Sequence, residues 1–282
     1  MKVPFVSVAL LGLLAGSVLS TPRAAQAAAP AWLIDKPGAY ALDHDIMVAS
    51  GDAIMITASG VTLDLGGHNV GVATPGQGRG IVVLGAKGVR VSNGRVGPFG
   101  VDVLLDGSEN VTVEGLQILG ANLALLPDGK QNAGDPRATG GGPFAEVGFL
   151  LANARAAVVR NNTMTAVDPG IFNRGGGSTG CLIEGNTITG GPVAANDCLA
   201  LCFNGLPTEA DPGPTACVIQ GNHIGRYQFG FGWQGVGTFG NITRDNTLAV
   251  WGSPYFYPDA NADNNKKNTT AVNDTAVQLP AP

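Results

Sequence analysis

AVVRNNTM begins at Ala157, CLIEGNTI at Cys181, CVIQGNHI at Cys217 and NITRDNTL at Asn241. Two looser copies, VRVSNGRV from Val89 and VTVEGLQI from Val111, precede them. The first and third residues of each copy are mostly apolar, a short polar turn follows, and the eighth residue is apolar again. Starts lie 22 or 24 residues apart, or farther where a loop intervenes. A recurring unit of this length marks a stacked repeat, and alternation within the unit makes it a strand.

A second apolar segment stands before each copy: GIVVL from Gly80, DVLL from Asp102, GFLL from Gly148, GIFN from Gly170, DCLAL from Asp197 and GFGW from Gly230. Each unit therefore holds a first strand, a turn, the strand opening the phrase, a tight turn, a short third strand and a variable return. Three strands per unit at this period fit an all-β, right-handed parallel β-helix of about seven coils. Asn162, Asn186, Asn222 and Asn246 share position six of the phrase. Asparagine tolerates a left-handed turn, and stacked amides can hydrogen-bond along the axis, so these four are expected to form a structural ladder.

Outside the repeat, Lys2, an apolar run to Leu19 and the series Ala25-Gln26-Ala27 read as a signal peptide over 1–27, rather than a membrane anchor. Residues 28–253 are then the solenoid, with 28–51 as an N-terminal cap, and 254–282 a partly disordered tail. No later stretch is long and apolar enough to span a membrane. The formal charge of −5 supplies no basic patch for nucleic acid. Cys181 and Cys217 both open the phrase, so stacking brings them to neighbouring coils within reach of a disulfide; the alternative is that all four cysteines are buried thiols.

The motifs PGAYALDHDI, GVTLDLGGHNV and the recurring V-x-I-x-x-N-x-I resemble the secreted right-handed β-helix repeat proteins of the pectin lyase-like superfamily. The resemblance spans the chain beyond the signal peptide. It implies a substrate groove along the outer face of the first strands, bordered by enlarged returns. NDCLAL, from Asn196, is similar to the DDCIAI strand of polygalacturonases, with Asn196 in place of the first aspartate.

Strand parity points Asp197, Phe172 and Arg174 outward, with Asp168 in the return one coil earlier. Neighbouring carboxylates permit a shared-proton pair, a nucleophile with an acid partner, or a Ca²⁺ site. Asp197 is the candidate acid/base, with Asp168 its partner and Arg174 a charge clamp. Arg226, Tyr227, Phe172, Lys130 and Arg137 are candidate substrate-binding residues. The plainer reading makes the aspartates turn formers and the arginines solvated surface charges. His44, His68 and His223 form no metal-ligand pattern, so no cofactor is required beyond the Ca²⁺ that the carboxylates permit.

The expectation is a secreted or periplasmic carbohydrate-active protein that binds an acidic polysaccharide in the first-strand groove. Lyase or glycoside hydrolase chemistry is its candidate reaction, and these residues do not decide whether it cleaves. The alternative is a non-catalytic envelope or surface β-helix that holds a glycan or a protein partner.

Overall fold

The computed structural model describes residues 29–120, 147–174, 177–190, 199–204, 213–234, 240–256 and 269–280. Among them there is no helix. All strands join one continuous parallel ladder that winds into a solenoid of about eight turns with three faces.

The first face stacks Trp32–Ile34, Asp52–Ile56, Arg79–Leu84, Val101–Asp106, Val147–Ala152, Ile171–Arg174 and Leu199–Asn204, then the later parts of His223–Gln234 and Thr247–Phe256. The second runs from Gly38–Ala41 through the strands that open the repeated phrase to Thr269–Val272. The third runs from Ile46–Val48 to Thr275–Gln278. Parallel strands must have their apolar sides buried, and here each face turns one residue parity inward. Ile56, Val83, Leu105 and Leu151 stack from the first face; Leu63, Val91, Val113, Val159, Ile183 and Ile219 from the second; Val70, Val96, Ile118, Met164, Ile188, Ile224 and Leu248 from the third. All are buried in one core cluster.

Two boundaries differ from expectation. Residues 32–48 are not a separate cap; their three strands pair in register with the next turn and form the first rung. The solenoid also continues past residue 253. TTAVNDTA, from Thr269, is a further copy of the phrase, disguised by threonine and alanine at its normally apolar positions.

The tight turn divides its work between two positions. The left-handed backbone sits at position five, in Asn93, Gly115, Asn161, Gly185, Gly221, Asp245 and Asn273, all with φ between 53 and 65°. Position six instead points its side chain inward. The Asn162 backbone N–H and Nδ2 both donate to Asn186 Oδ1 at 3.0 Å. Asn186 bonds Asn222, and Asn222 bonds Asn246, in the same way at 2.9–3.0 Å. Each of Asn162, Asn186, Asn222 and Asn246 also donates from Nδ2 to a main-chain carbonyl one rung back, at 2.9–3.1 Å. Asp274 ends the series, accepting from Asn246 N and Nδ2 through Oδ1 and from the Tyr255 hydroxyl through Oδ2. Below Asn162 the ladder cannot continue, because Leu116 and Gly94 hold the site; a Cβ on Gly94 would come within 2.4 Å of Leu65 Cβ.

Cys181 and Cys217 do stack on neighbouring rungs, but the expected bridge is absent and both are buried free thiols. In-register parallel strands aim both Cβ atoms the same way at strand spacing, whereas a disulfide needs them to converge to about 3.5–4.5 Å. Each sulfur instead faces a carbonyl, Cys181 that of Ala154 at 3.4 Å and Cys217 that of Thr215 at 3.5 Å. Cys198 lies outside the described residues.

Replacing Asn186 by alanine leaves the Asn162 N–H and one of its two Nδ2 hydrogens without an acceptor in the core. The expected loss is about 2–4 kcal/mol, since a buried donor left unpaired costs about 1–3 kcal/mol. A urea titration should show this as a lower midpoint, while Thr62→Ala, on the exposed side of the second face, should stay within about 0.5 kcal/mol of wild type.

Candidate functional site

A solenoid offers three outer faces, and the side chains that point outward decide what each can do. On the first face the central outward column is Met55, Val82, Leu104, Leu150, Phe172, Cys202 and Gly232. Phe172 and Cys202 form a second apolar cluster with Val147, against which Val101, Leu150 and Phe229 pack. The polar groove expected along this face is therefore not built by its strand residues. Phe172 does face outward, but it is only 7% exposed and is a packing residue. Tyr227, expected to stack on substrate, is fully buried and donates its hydroxyl to the Val167 carbonyl at 2.6 Å. Trp233 is also in the core, stacked on Phe203 with centroids 4.6 Å apart.

The polar candidates stand at the margins of this apolar strip. Asp168 is half-buried, in the return that leads into Ile171–Arg174. It lies close enough to Cys202 that burial, followed by the aspartate's negative field, pushes that thiol far above its ordinary range. Arg174 is exposed at the opposite end of the same strand. Arg226 is exposed at the corner between third and first faces, with φ of 61°. That corner stacks tightly: a Cβ on Gly190 would meet the Arg226 carbonyl oxygen at 2.1 Å, so only glycine fits beneath it. Asp197, Lys130 and Arg137 lie outside the described residues. Asp168, Arg174 and Arg226 thus border the first face without meeting at one point.

The second face is occupied by its own charges. Glu114 accepts from Arg160 Nε at 2.7 Å and pairs with Arg90 on the other side. The Arg160 hydrogen bond is the main reason that the Glu114 carboxyl is held below its usual range. Gln220 bonds Glu184 at 2.5 Å and receives Arg244 Nε at 2.7 Å. Arg79 grips Asp52 with two bonds of 2.6 Å, and Lys87 pairs with Glu109 at 2.7 Å. In-register stacking brings Arg79, Lys87, Arg90, Arg160 and Arg244 each to a carboxylate or amide one rung away, as it does Arg95, whose Nε donates to Gln117 Oε1 at 3.1 Å. Arg95, Arg174 and Arg226 carry no ion-pair partner among the described residues.

The third face is different. Asn69, Arg95, Gln117, Thr163, Thr187, His223, Thr247 and Thr275 pair in direct register and project outward as one column. All but half-buried Asn69 are exposed. Beside it runs a second outward column whose middle members, Thr165, Thr189, Gly225 and Ala249, are small. The result is a straight row of hydrogen-bonding side chains, one per rung at about 4.8 Å, above a low shelf. Sequence reasoning passes over this row, although its signal is present: seven of its members are position seven of the repeated phrase.

Asp45 extends the row to the first rung. Its Oδ1 accepts from Asn69 N at 3.0 Å and lies 3.1 Å from His68 Nδ1, while Oδ2 accepts from Asn69 Nδ2 at 2.7 Å. These bonds, the Asn69 backbone N–H first, draw its carboxyl down to about 2. Beside it opens a cavity of about 490 Å³, lined by Ala31, Trp32 and residues 41–47.

Among the described residues no cluster of three or more His, Cys, Asp or Glu is arranged to hold a metal, and no helix is long and apolar enough to cross a membrane. No family model matches the chain, and no curated protein does. Solved structures with similar winding include a tailspike protein of E. coli bacteriophage HK620 in complex with a pentasaccharide. It is 11% identical, with a TM-score of 0.42, over 81% of this chain and 39% of that one. The enzymatically active domain of bacteriophage CBA120 tailspike protein 2 is 13% identical, with a TM-score of 0.43, over 87% and 41%. Endo-xylogalacturonan hydrolase from Aspergillus tubingensis is 10% identical, with a TM-score of 0.38, over 89% and 91%. The chain spans about two fifths of the length of the two tailspikes. At these identities and scores, none of the three lends it an activity.

The Asp45 corner has a defined acid limit. A carboxyl whose folded pKa lies below its unfolded value of about 3.9 stabilises the fold above that value. The contribution is lost as pH falls through the folded value, so the corner should loosen between about pH 4 and pH 2. Carboxyl ¹³C shifts recorded through this window should place the Asp45 midpoint near 2, and Asp45→Ala should remove that titration.

Proposed function

We propose that the chain is an exported protein whose third face binds a polysaccharide in extended form. The observation that carries this reading is the in-register row from Asn69 to Thr275. Hydroxyl, amide, imidazole and guanidinium groups recur there at strand spacing, comparable to the rise of one sugar along an extended glycan. Threonine hydroxyls both donate and accept, so they match sugar hydroxyls whatever their orientation. The small residues of the adjacent column let a flat chain lie close to the backbone.

Arg95 sits in this row and Arg226 at its border, beyond His223. They are the support for an acidic polymer, whose carboxylates they would meet; Arg79, Lys87, Arg90 and Arg160 are spent on internal ion pairs and Arg244 on Gln220. Export rests on the N-terminal segment read as a signal peptide.

A cleaving activity is the second reading, favoured by one feature: Asp168 is a half-buried carboxylate at the corner where the third face passes into the first. In sequence, Asp197 occupies the corresponding return one turn later. Asp168 would serve as acid or base, with Arg226 as the charge partner.

The binding reading is tested with immobilised neutral and acidic polysaccharides. Thr163→Val with Thr187→Val keeps shape and strand preference but removes two hydroxyls. Affinity should fall by about tenfold or more, as two lost hydrogen bonds of about 1 kcal/mol each imply. The urea midpoint should stay put. Unchanged affinity in the double variant would overturn the reading. Arg226→Ala should weaken only acidic polymers. Release of reducing or unsaturated ends, abolished by Asp168→Asn, would establish cleavage.

A further inference from the structure

The cavity beside Asp45 lies at the first described rung, where the strands Trp32–Ile34, Gly38–Ala41 and Ile46–Val48 each pair, among the described residues, with the next rung only. Trp32 forms one wall. Its ring is half-buried and held edge-on against Tyr40, with centroids 6.0 Å apart and planes at 77°. Leu42, Ile46 and Met47 add apolar surface, while Asp43, His44 and Asp45 line the rim. His44 Nδ1 lies 2.5 Å from Asp43 Oδ1, and hydrogen bonding to that imidazole holds the Asp43 carboxyl below its ordinary range.

Two features set this cavity apart. Asp45 belongs at once to the cavity wall and to the polar row, because it binds both the backbone and the side chain of Asn69. A polymer following the row toward the first rung therefore runs into the cavity. The lining also combines a fixed aromatic ring with carboxylates, the pairing that suits a sugar ring: its C–H face stacks on the indole, and its hydroxyls donate to carboxylate oxygens.

We propose that this cavity is the end subsite of the glycan track and receives the terminal sugar of the chain. The inference rests on the third-face reading. It also specifies the sugar. Asp43 and Asp45 are ionised at neutral pH, and no Lys or Arg lines the cavity among the described residues, so a terminal unit bearing a carboxylate, sulfate or phosphate is repelled. The terminal sugar is one without an acidic substituent, whatever the polymer carries farther along the row.

Short probes separate the cavity from the track. Cellotetraose, laminaritetraose, maltotetraose and mannotetraose are titrated against the full exported chain, with tetragalacturonate as the acidic counterpart, and tryptophan emission is followed. At least one neutral tetrasaccharide should bind and shift the tryptophan emission, and the shift should vanish in Trp32→Phe, which keeps buried Trp233 and half-buried Trp251. Tetragalacturonate should bind at least tenfold more weakly. Trp32→Ala should lower neutral tetrasaccharide affinity tenfold or more, and Trp32→Phe should restore most of it. Asp43→Ala, at an exposed side chain, should weaken it about fivefold without touching the core. Equal binding of neutral and acidic probes would overturn the proposal, as would indifference to Trp32→Ala and Asp43→Ala. A concentration-dependent increase in sedimentation that Trp32→Ala abolishes would assign the cavity to a second copy and overturn it likewise. The two readings fail differently. If the cavity is wrong and the track right, Trp32→Ala leaves polymer binding intact while Thr163→Val with Thr187→Val reduces it. If the track is wrong, that double variant has no effect on polymer binding.

Discussion

Parallel stacking in register is the constraint on which everything else in this molecule depends. Each strand completes its backbone hydrogen bonds with the rungs above and below, so a residue's neighbours are the same position one turn away. A favourable choice at one position is therefore multiplied along the axis, and so is an unfavourable one. The asparagine ladder shows the favourable case: the Asn186, Asn222 and Asn246 oxygens each take two N–H donors, that of Asn162 takes the Leu116 N–H, and each amide nitrogen gives two hydrogens, which leaves no polar atom of the ladder unpaired inside the core. Like charges stacked at this spacing would repel, and the second face avoids that by alternating Glu114, Arg160 and Glu184 and by placing Gln220 before Arg244.

The same rule separates the three faces by use. The first spends its outward aliphatic and aromatic side chains on a second apolar cluster. The second spends its charges on one another. Among the described residues the third presents a straight row of polar side chains, of which Asn69, Arg95 and Gln117 share hydrogen bonds along the row while Thr163, Thr187, His223, Thr247 and Thr275 stand exposed, and that difference, more than any single residue, points function toward it. Net negative charge and the internal pairing of most flanking cations act in the same direction, favouring hydroxyl recognition over strong electrostatic capture of an anionic chain.

Much of the fold was legible because alternation and period are local properties. Position one, three and eight residues of the phrase enter the core as their apolar character requires. Other features were not legible for equally physical reasons. The rung from Thr269 is hidden in sequence because Asp274 takes an asparagine's place in the ladder and Thr269 and Ala271 stand where earlier copies mostly carry apolar residues. The turn was assigned to position six because asparagine suits both a left-handed backbone and a buried amide ladder; only the φ values separate these uses, giving the first to position five. Tyr227 carries a hydroxyl that marks it as a surface residue in sequence, yet the Val167 carbonyl pairs that hydroxyl in the interior.

The amino-acid order by itself determined a β-solenoid, its repeat, and the parity that sorts inner from outer side chains, since these follow from strand geometry and the burial of apolar surface. It did not determine which outer face stays free. Phe172 points outward by parity and is nevertheless covered, while Thr163, Thr187 and His223 point outward and remain exposed. Asp45 and Trp32 come together in one cavity although Asp45 lies in the turn before Ile46–Val48 and Trp32 opens the strand Trp32–Ile34. Those outcomes depend on what each face packs against and on how the corners bring separate strands together, and such relations exist only once the chain is wound.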